Sequence, residues 1–582
     1  MKALFKISPK KYNFWSIIIQ SMIFLLAGII LLKLGYLQIV EAGELKQRAS
    51  LNRRADRDLC FRGEIYDRNG IRLAGDTTLY DIYAHPRYYV DEKGPMVIAQ
   101  ILAKHLKQPQ WLLNDKLSKY EYSTISIAKN VDVSIVEDKI KPEIRDQEIR
   151  GLDFVRKSKR IYPQGNLASH ILGYINFEAN LAAGVERTGD RSLASIPATR
   201  RVEYDGRGNV IYEFGTDPQK VTAPLKGSKL ELTIDSAIQH VAETELAKIA
   251  KKTNADKGTV IVMNPKNGEI LGFALYPTYD PNKYNIFSPS VVKNWALSDV
   301  YPPGSTFKVL TIASALETGA ISKNIKINDT GKIEVQGWEI KNHDYYKNPD
   351  PGIIDLEYLF RHSSNVGSLK IALKISPYDY YRMLNLFGIG MKTGIDLPGE
   401  SAGILPDIER WDKITQGSIG YGYSIATTPI QMAAAVAAIA NNGTWITPHV
   451  IKNHDTTEKI KHIRILSERN CKIITDLLAE SIEKGTSDAG RIPGLPVAGK
   501  TGTSKKPNPN GPGYLVDEVY TSFIGYFPVD NPEALIMVVI DNPKNKNAWG
   551  STVAGPLFNS VAIEVARVLN LNSDYNIAVQ EN

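Results

Sequence analysis

A chain of 582 residues exceeds one ordinary domain, and 43% hydrophobic with 23% charged residues is the composition of a folded protein, which excludes a disordered or low-complexity chain. The net charge of +7 comes from basic residues without interleaved stacking aromatics, which argues against nucleic acid as a partner. Cys60 and Cys471 are too few for a disulfide framework, leaving free thiols or at most one bridge, and the nine histidines lack the spacing of a metal site.

Lys2, Lys6, Lys10 and Lys11 precede an uncharged run from Phe14 to Leu32, with no acid before it. At about 1.5 Å per residue that run spans roughly 30 Å, the thickness of a bilayer core. The lysines ahead of it predict a cytoplasmic N-terminus over 1–12, a transmembrane anchor over 13–40 and an exported remainder. A cleaved signal peptide is the competing reading, with Val40-Glu41-Ala42 as its site, but the run is longer than a signal core and the site lies well beyond it. Arg48, Arg53, Arg54, Arg57 and Arg62 follow, and anionic lipid headgroups are their simplest partner.

From about Gln47 to Pro218, short strand and helix patterns alternate with turn signals at Arg68-Asn69-Gly70, Tyr162-Pro163-Gln164-Gly165 and Asp205-Gly206-Arg207-Gly208, and no catalytic set stands out. A second unit begins near Leu230, with an amphipathic helix around Ser236 to Lys251 and a hairpin of Gly258 to Met263 and Glu269 to Leu275. Tyr301-Pro302-Pro303-Gly304 is a turn, and Ser305 then opens an almost wholly apolar helix that Gly319 closes. Residues three apart share a helix face, so the spacing predicts a Lys308 amine within reach of the Ser305 hydroxyl. The helix N-terminus and the apolar neighbours Phe307 and Val309 favour a neutral amine that acts as a base. The bland alternative, a solvated lysine, needs a polar helix face, and this helix has none.

Ser363-Ser364-Asn365 follows, in a stretch from Ser305 to about Asn441 that reads as mostly helical. A later helix there has a marked start, with Thr428 as N-cap, Pro429 at the first position and Gln431 at the third. Lys500-Thr501-Gly502-Thr503 lies on the first strand of a predicted three-stranded meander with Tyr520 to Phe527 and Ala534 to Ile540, which brings the sheet to five strands. Each motif recurs elsewhere: Ser-x-x-Lys begins at Ser8, Ser126, Ser290 and Ser481, Ser-x-Asn at Ser50 and Ser322, and a second Lys-Thr-Gly at Lys392 reads as a loop. Only Ser305, Ser363 and Lys500 stand in the order and context of a serine acyl-transfer enzyme whose lysine activates the nucleophile.

With these motifs, Tyr301 to Lys308, His362 to Gly367 and Lys500 to Thr503, the chain resembles the class B penicillin-binding proteins, the monofunctional peptidoglycan D,D-transpeptidases. Arg62-Gly63-Glu64-Ile65-Tyr66-Asp67-Arg68-Asn69-Gly70 and Gly184-Val185-Glu186 are similar to that family's membrane-proximal pedestal. The Ser-Ser-Asn triplet, with Gly394 to Glu400, is more similar to the septal cell-division branch than to the elongation branch. The resemblance implies an α+β architecture: the anchor, an elongated pedestal or dimerisation-like domain over 41–225, a penicillin-binding transpeptidase domain over 226–570 with a five-stranded antiparallel sheet flanked by helices, and a polar tail over 571–582.

What the resemblance implies about chemistry follows residue by residue. Ser305 attacks the penultimate D-alanine carbonyl of a pentapeptide stem, Lys308 takes its proton, Ser363 relays that proton to the leaving D-alanine, and Asn365 fixes Lys308 and the substrate backbone. Lys500 holds the terminal carboxylate with the hydroxyls of Thr501 and Thr503 beside Gly502, and the N–H groups of Ser305 and Thr503 form the oxyanion hole. Ser363 as a helix cap and Asn365 as a turn residue are the ordinary alternatives. A second stem resolves the acyl-enzyme into a cross-link of septal wall, with weak D,D-carboxypeptidase activity on the side, and β-lactams acylate the same serine. No cofactor or metal is implied. The implied partners are lipid-linked or nascent glycan stems, a membrane-embedded glycan polymerase and other division proteins at the septal plasma membrane. Rival readings are an elongation-type transpeptidase and a division scaffold with little catalysis of its own. A bifunctional synthase is disfavoured, since no Glu-Asp-x-x-Phe element precedes residue 230.

Overall fold

The computed structural model describes residues 9–44, 53–57, 60–89, 94–176, 181–195, 199–204, 210–213, 226–452, 460–511 and 513–571. Ser8, Arg48, Ser50, the turn at 205–208 and the tail beyond Leu571 lie outside the described residues. Two compact units emerge. The first gathers residues up to Phe61 with Ser195–Lys226. Its helix Pro9–Gly35 runs on into Tyr36–Val40, and the span Phe14–Val40, with a mean hydropathy of 2.4, is long and apolar enough to cross a membrane. Among the described residues, nothing buries that span. The strand Arg53–Arg57 pairs antiparallel with Thr199–Tyr204, which pairs in turn with Val210–Glu213.

The second unit joins Arg62–Ala194 to the chain from Gly227 onward. In its first part the strand Arg72–Ala84 pairs antiparallel with Ile125–Asp132 and with Leu152–Ile161. Tyr80, Ile82 and Ala84 meet Ile98, Leu102, Leu113, Val136 and Ile140 in a small separate core. Ahead of that strand lies a buried ion network built from the two motif fragments Arg62 and Glu186. Arg62 Nε and Arg160 Nε reach opposite oxygens of the fully buried Glu186 carboxylate at 2.7 and 2.6 Å, and Arg160 also meets Asp76 at 3.0 Å. Leu230–Glu231 pairs parallel with Ile65–Tyr66, so the chain entering the next part is hydrogen-bonded to this one.

The remainder is built on one antiparallel sheet of order β2-β1-β5-β4-β3, where β1 is Lys257–Met263, β2 Ile270–Tyr276, β3 Ala498–Pro507, β4 Tyr514–Phe527 and β5 Ala534–Asp541. The predicted hairpin and meander are these five strands. Period-two alternation divides their side chains between two cores. Val260, Val262, Ile536 and Val538 pack with α1 (Ser236–Thr253) and with the C-terminal helix Gly555–Val568. Ile261, Met263, Met537 and Val539 pack with α2 (Lys308–Glu317) and the helix Pro429–Ala440. The latter begins as expected, since Thr428 and Gln431 form a reciprocal capping box behind Pro429. Both faces of the sheet are therefore covered, and β3 is left as an edge strand beside the helical part.

The stretch between Ser305 and Asn441 is not wholly helical. Two small two-stranded sheets interrupt it, Ile327–Asp329 with Gly352–Ile354 and Lys332–Val335 with Trp338–Lys341. These strands are three or four residues long, too short for a periodic signal strong enough to read from sequence.

The Arg62–Glu186–Arg160 network carries a stability prediction. Glu186→Gln leaves two buried guanidinium groups short of a counter-charge, and loss of one partner of a buried pair costs about 3–5 kcal/mol. Urea unfolding of the detergent-solubilised protein should show a correspondingly lower midpoint, whereas an exposed pair such as Lys472→Ala should shift it by less than about 1 kcal/mol.

Candidate active site

The turn before α2 decides where the nucleophile candidate sits. Gly304–Phe307 is a single 3-10 turn, and α2 begins only at Lys308, whose N–H bonds the Ser305 carbonyl. In a 3-10 turn residues three apart eclipse one another, so Ser305 and Lys308 share one side. Gly304 has φ +58, and a Cβ there would stand 3.0 Å from the Thr503 carbonyl, while a Cβ on Gly422 would lie 2.2 Å from the Gly304 carbonyl. Backbone approaches this close wedge Ser305 between the Gly422 loop and the edge strand β3.

Lys308 is fully buried, which removes the solvated-lysine alternative. Its Nζ meets the Ser363 carbonyl at 2.5 Å, Asn365 Oδ1 at 2.8 Å and Ser363 Oγ at 3.2 Å. None of these bonds goes to Ser305 Oγ. Burial pushes the amine well below its ordinary range, the neighbouring Lys500 pushes it further, and the Asp329 and Asp344 carboxylates oppose the shift. A neutral amine has two N–H donors and one lone pair. Carbonyl oxygens only accept, so the donors of a neutral amine belong to the Ser363 carbonyl and Asn365 Oδ1, and its lone pair is left for a hydroxyl proton, with Ser363 Oγ at 3.2 Å. Such an amine has the lone pair that accepting a proton requires.

Ser363 and Ser364 divide the capping work between them. Ser363 ends the helix α3 (Leu356–His362) in the left-handed region at φ 51, which turns its carbonyl and hydroxyl onto Lys308. Ser364 is the N-cap of α4 (Asn365–Ala372), accepting the Gly367 N–H at 2.8 Å. Asn365 donates from Nδ2 to the Lys341 carbonyl at 2.9 Å, which fixes its Oδ1 toward Lys308.

On β3 the alternation puts Lys500, Gly502 and Ser504 on the face against the nucleophile turn. Ser504 Oγ donates to the Pro302 carbonyl at 2.6 Å, and a Cβ on Gly502 would meet Thr306 Cγ2 at 3.0 Å and Ser522 Oγ at 2.4 Å. Only glycine lets the strand lie this close. Lys500 is fully buried, with Nζ 3.3 Å from the Thr501 carbonyl, 3.4 Å from Thr501 Oγ1 and 3.5 Å from Thr486 Oγ1, and burial pulls its ammonium down to about 7. Thr503 Oγ1 accepts the Gly550 N–H at 2.9 Å, so its own proton is free to donate elsewhere.

The structure therefore brings Ser305, Lys308, Ser363, Asn365, Lys500, Thr501, Gly502 and Thr503 to one cleft. The rejected copies stay apart: Lys129, Lys293 and Lys484 are exposed, as are Ser322 and Lys392, and the Thr393 and Gly394 N–H groups next to Lys392 are tied to Glu400. Sequence reading missed Asp329, Asn342, Thr486 and Ser487. The signal for the first two, a short Asp-Thr-Gly turn and an isolated Lys-Asn, was too weak to single out. Ser487 Oγ accepts the Thr501 N–H at 3.1 Å. Cys471 is buried and forms no disulfide with Cys60. Among the described residues no cluster of His, Cys, Asp and Glu is fit to hold a metal ion.

A serine beside a buried lysine, backed by a Ser-x-Asn corner and a Lys-Thr-Gly edge strand, is the motif arrangement of the penicillin-interacting enzymes. The chain belongs to the penicillin-binding protein family: residues 258–562 match the model of the penicillin-binding protein transpeptidase domain and residues 59–232 that of the penicillin-binding protein dimerisation domain. It is 32% identical over 545 residues to stage V sporulation protein D of Bacillus subtilis strain 168, covering 91% of this chain and 82% of that protein. It is also 32% identical over 593 residues to the peptidoglycan D,D-transpeptidase FtsI homolog of Mesostigma viride, covering 96% of each. The fold is shared with the crystal structure of penicillin-binding protein 2X from Streptococcus thermophilus, with a TM-score of 0.75 at 24% identity over 90% of this chain and 81% of that one.

The two buried lysines make stability depend on pH. Unfolded lysine titrates near about 10.4, so between about 7 and that value the unfolded chain binds more protons than the native one at Lys500. Native stability then rises with pH across this window. Thermal unfolding followed from pH 7 to 9.5 should show a smaller rise in Lys500→Met than in the unmodified protein.

Proposed function

We propose that the protein is a peptidoglycan D,D-transpeptidase of septal wall synthesis that works through an acyl-enzyme on Ser305. The observation that carries this reading is the Lys308 amine, buried, pushed toward neutrality and oriented by two obligate acceptors. The name of the 32% identical relative, a peptidoglycan D,D-transpeptidase, supports the substrate class, and FtsI-type names support the septal branch. In this scheme residues 13–40 anchor the chain, with the N-terminus in the cytoplasm, 41–225 form a pedestal, 226–570 the catalytic part and 571–582 a tail. A membrane glycan polymerase and other division proteins are the expected partners.

The chemistry follows from the geometry. As Ser305 Oγ forms its bond to the penultimate D-alanine carbonyl carbon, its proton passes to the Lys308 lone pair. The oxyanion accepts from the N–H of Ser305, which the first helical turn leaves without an intrahelical acceptor, and from that of Thr503, whose backbone lies against Gly304. When the carbon–nitrogen bond breaks, Ser363, 3.2 Å from Lys308 Nζ, returns the proton to the departing D-alanine amine. The Lys500 ammonium with the Thr501 and Thr503 hydroxyls holds the terminal carboxylate. A second stem's amine then attacks the ester and restores Ser305, while water in its place gives the weak carboxypeptidase side reaction. A β-lactam opens onto the same serine and stays there.

Exposure to a penicillin should leave one stable adduct on the peptide containing Ser305, read by intact mass and peptide mapping. Ser305→Ala should carry none, and an adduct on a different serine would sink the scheme. Lys308→Ala should fold and fail to acylate. The acylation rate should fall as pH drops, when Lys308 takes up its proton, and fall again as pH rises through about 7, when Lys500 loses its charge. Lys500→Arg, which stays charged, should move the alkaline limb upward by more than one pH unit.

A further inference from the structure

One buried acid lies behind the site without belonging to any of its motifs. Asp329 ends a three-residue strand and is fully buried. Its carboxylate accepts from the Gly331 N–H at 2.9 Å, from Asn342 Nδ2 at 3.0 and 2.9 Å, and from Ser364 Oγ at 2.5 Å. Asn342 and Ser364 are themselves buried, and both turn their remaining oxygen capacity onto α4. Asn342 Oδ1 accepts the N–H groups of Asn365 and Val366 at 2.9 and 3.0 Å, and Ser364 Oγ accepts that of Gly367 at 2.8 Å. A helix leaves its first four N–H groups without internal partners. Here three of them end on two side chains hung from one carboxylate, and that carboxylate stands at the positive end of the helix dipole.

The helix so held is the one that presents Asn365 to Lys308, and the residue before its cap is Ser363. All three oxygens in contact with Lys308 Nζ therefore sit on a corner whose position Asp329 fixes from behind. Asn342 contributes twice, since its neighbour Lys341 takes the Asn365 Nδ2 proton and thereby sets which way the amide faces.

We propose that Asp329 is a positioning residue for acylation: acting through Asn342 and Ser364, it fixes the Ser363 to Asn365 corner that aims the Lys308 amine at Ser305. This rests on the acyl-enzyme reading above. The carboxylate acts in two separable ways. Its hydrogen bonds hold the corner, which any group of the same shape does in part. Its charge also stabilises the ammonium form of Lys308, as does that of Asp344, while Lys500 opposes both and His343 lies in the field of the two lysines. Loss of the charge alone therefore moves the titration of Lys308 downward, an effect that a purely structural role does not produce.

The experiment uses the full-length protein in detergent with a penicillin as probe. The second-order acylation constant at Ser305 is measured by intact mass from pH 5 to 9, with thermal unfolding as the check on folding. Asp329→Asn keeps the shape and removes the charge. We expect acylation about 10- to 100-fold slower, the scale of a small misplacement at a reacting group, with the acid limb displaced to lower pH. Ser364→Ala, which keeps the charge and cuts one link, should slow acylation several-fold with the acid limb in place. A folded Asp329→Asn protein that acylates at the unmodified rate, or slowly with an unmoved limb, overturns the proposal. Should that variant not fold, Ser364→Ala decides: several-fold slowing upholds the proposal, and an unchanged rate overturns it. Absence of any Ser305 adduct in the unmodified protein would instead refute the acyl-enzyme reading, and the proposal with it.

Discussion

The structure depends on the burial of two lysine amines at the seam between a sheet edge and a helical layer. An ammonium in such a place loses its hydration, and Lys500 raises the cost of charging Lys308 further. Lys308 resolves the conflict by leaning toward the neutral form and giving its N–H groups to the Ser363 and Asn365 oxygens. Lys500 meets hydroxyls and a carbonyl at 3.3 to 3.5 Å, and burial pulls its ammonium down to about 7. One seam thus gives two side chains of the same type different sets of acceptors.

Holding that seam requires rigid surroundings on both sides. On the sheet side, β3 is pinned by β4, by Ser504 on Pro302 and by Ser487 on the Thr501 N–H, and glycine at 502 lets it reach the nucleophile turn. On the helical side, the corner at Ser363 to Asn365 is capped from within by Ser364 and from outside by Asn342. Packing of apolar residues on both faces of the sheet, at about 1.5–3 kcal/mol for each large side chain, offsets the desolvation that the polar cleft imposes. The first part of the same unit follows a different rule, spreading opposite charges through a buried network of Arg62, Arg160, Asp76 and Glu186.

Much of this was legible in the residues. The sheet strands are apolar and bounded by turns, so the hairpin and the last meander strand could be placed within a residue or two, and α1 and the Thr428 cap likewise, whereas β4 begins at Tyr514, well before the expected Tyr520. Lys308 could be singled out because its helix had no polar face to leave it on. The short strands around Asp329 and Lys341 could not be read, because three or four residues are too few to show a period. Asp329 and Asn342 act on residues 22 to 35 positions further along the chain, and such partners leave no local trace. The reach of the Lys308 amine to Ser305, drawn from spacing, also needed the structure, which turns the amine to Ser363 and Asn365.

The sequence by itself determined the elements and the chemistry they carry: an apolar span, alternating strands, a serine and lysine one turn apart, and two further motifs in a fixed order. These follow from local rules, since periodicity, capping and turn propensity are properties of neighbouring residues. Only the tertiary structure decided how each amine is pushed toward its neutral form and which oxygens accept from it, because that depends on burial, on acceptor geometry and, for Lys308, on the field of Asp329 and Asp344. These are sums over atoms brought together from distant parts of the chain, and no local pattern encodes them.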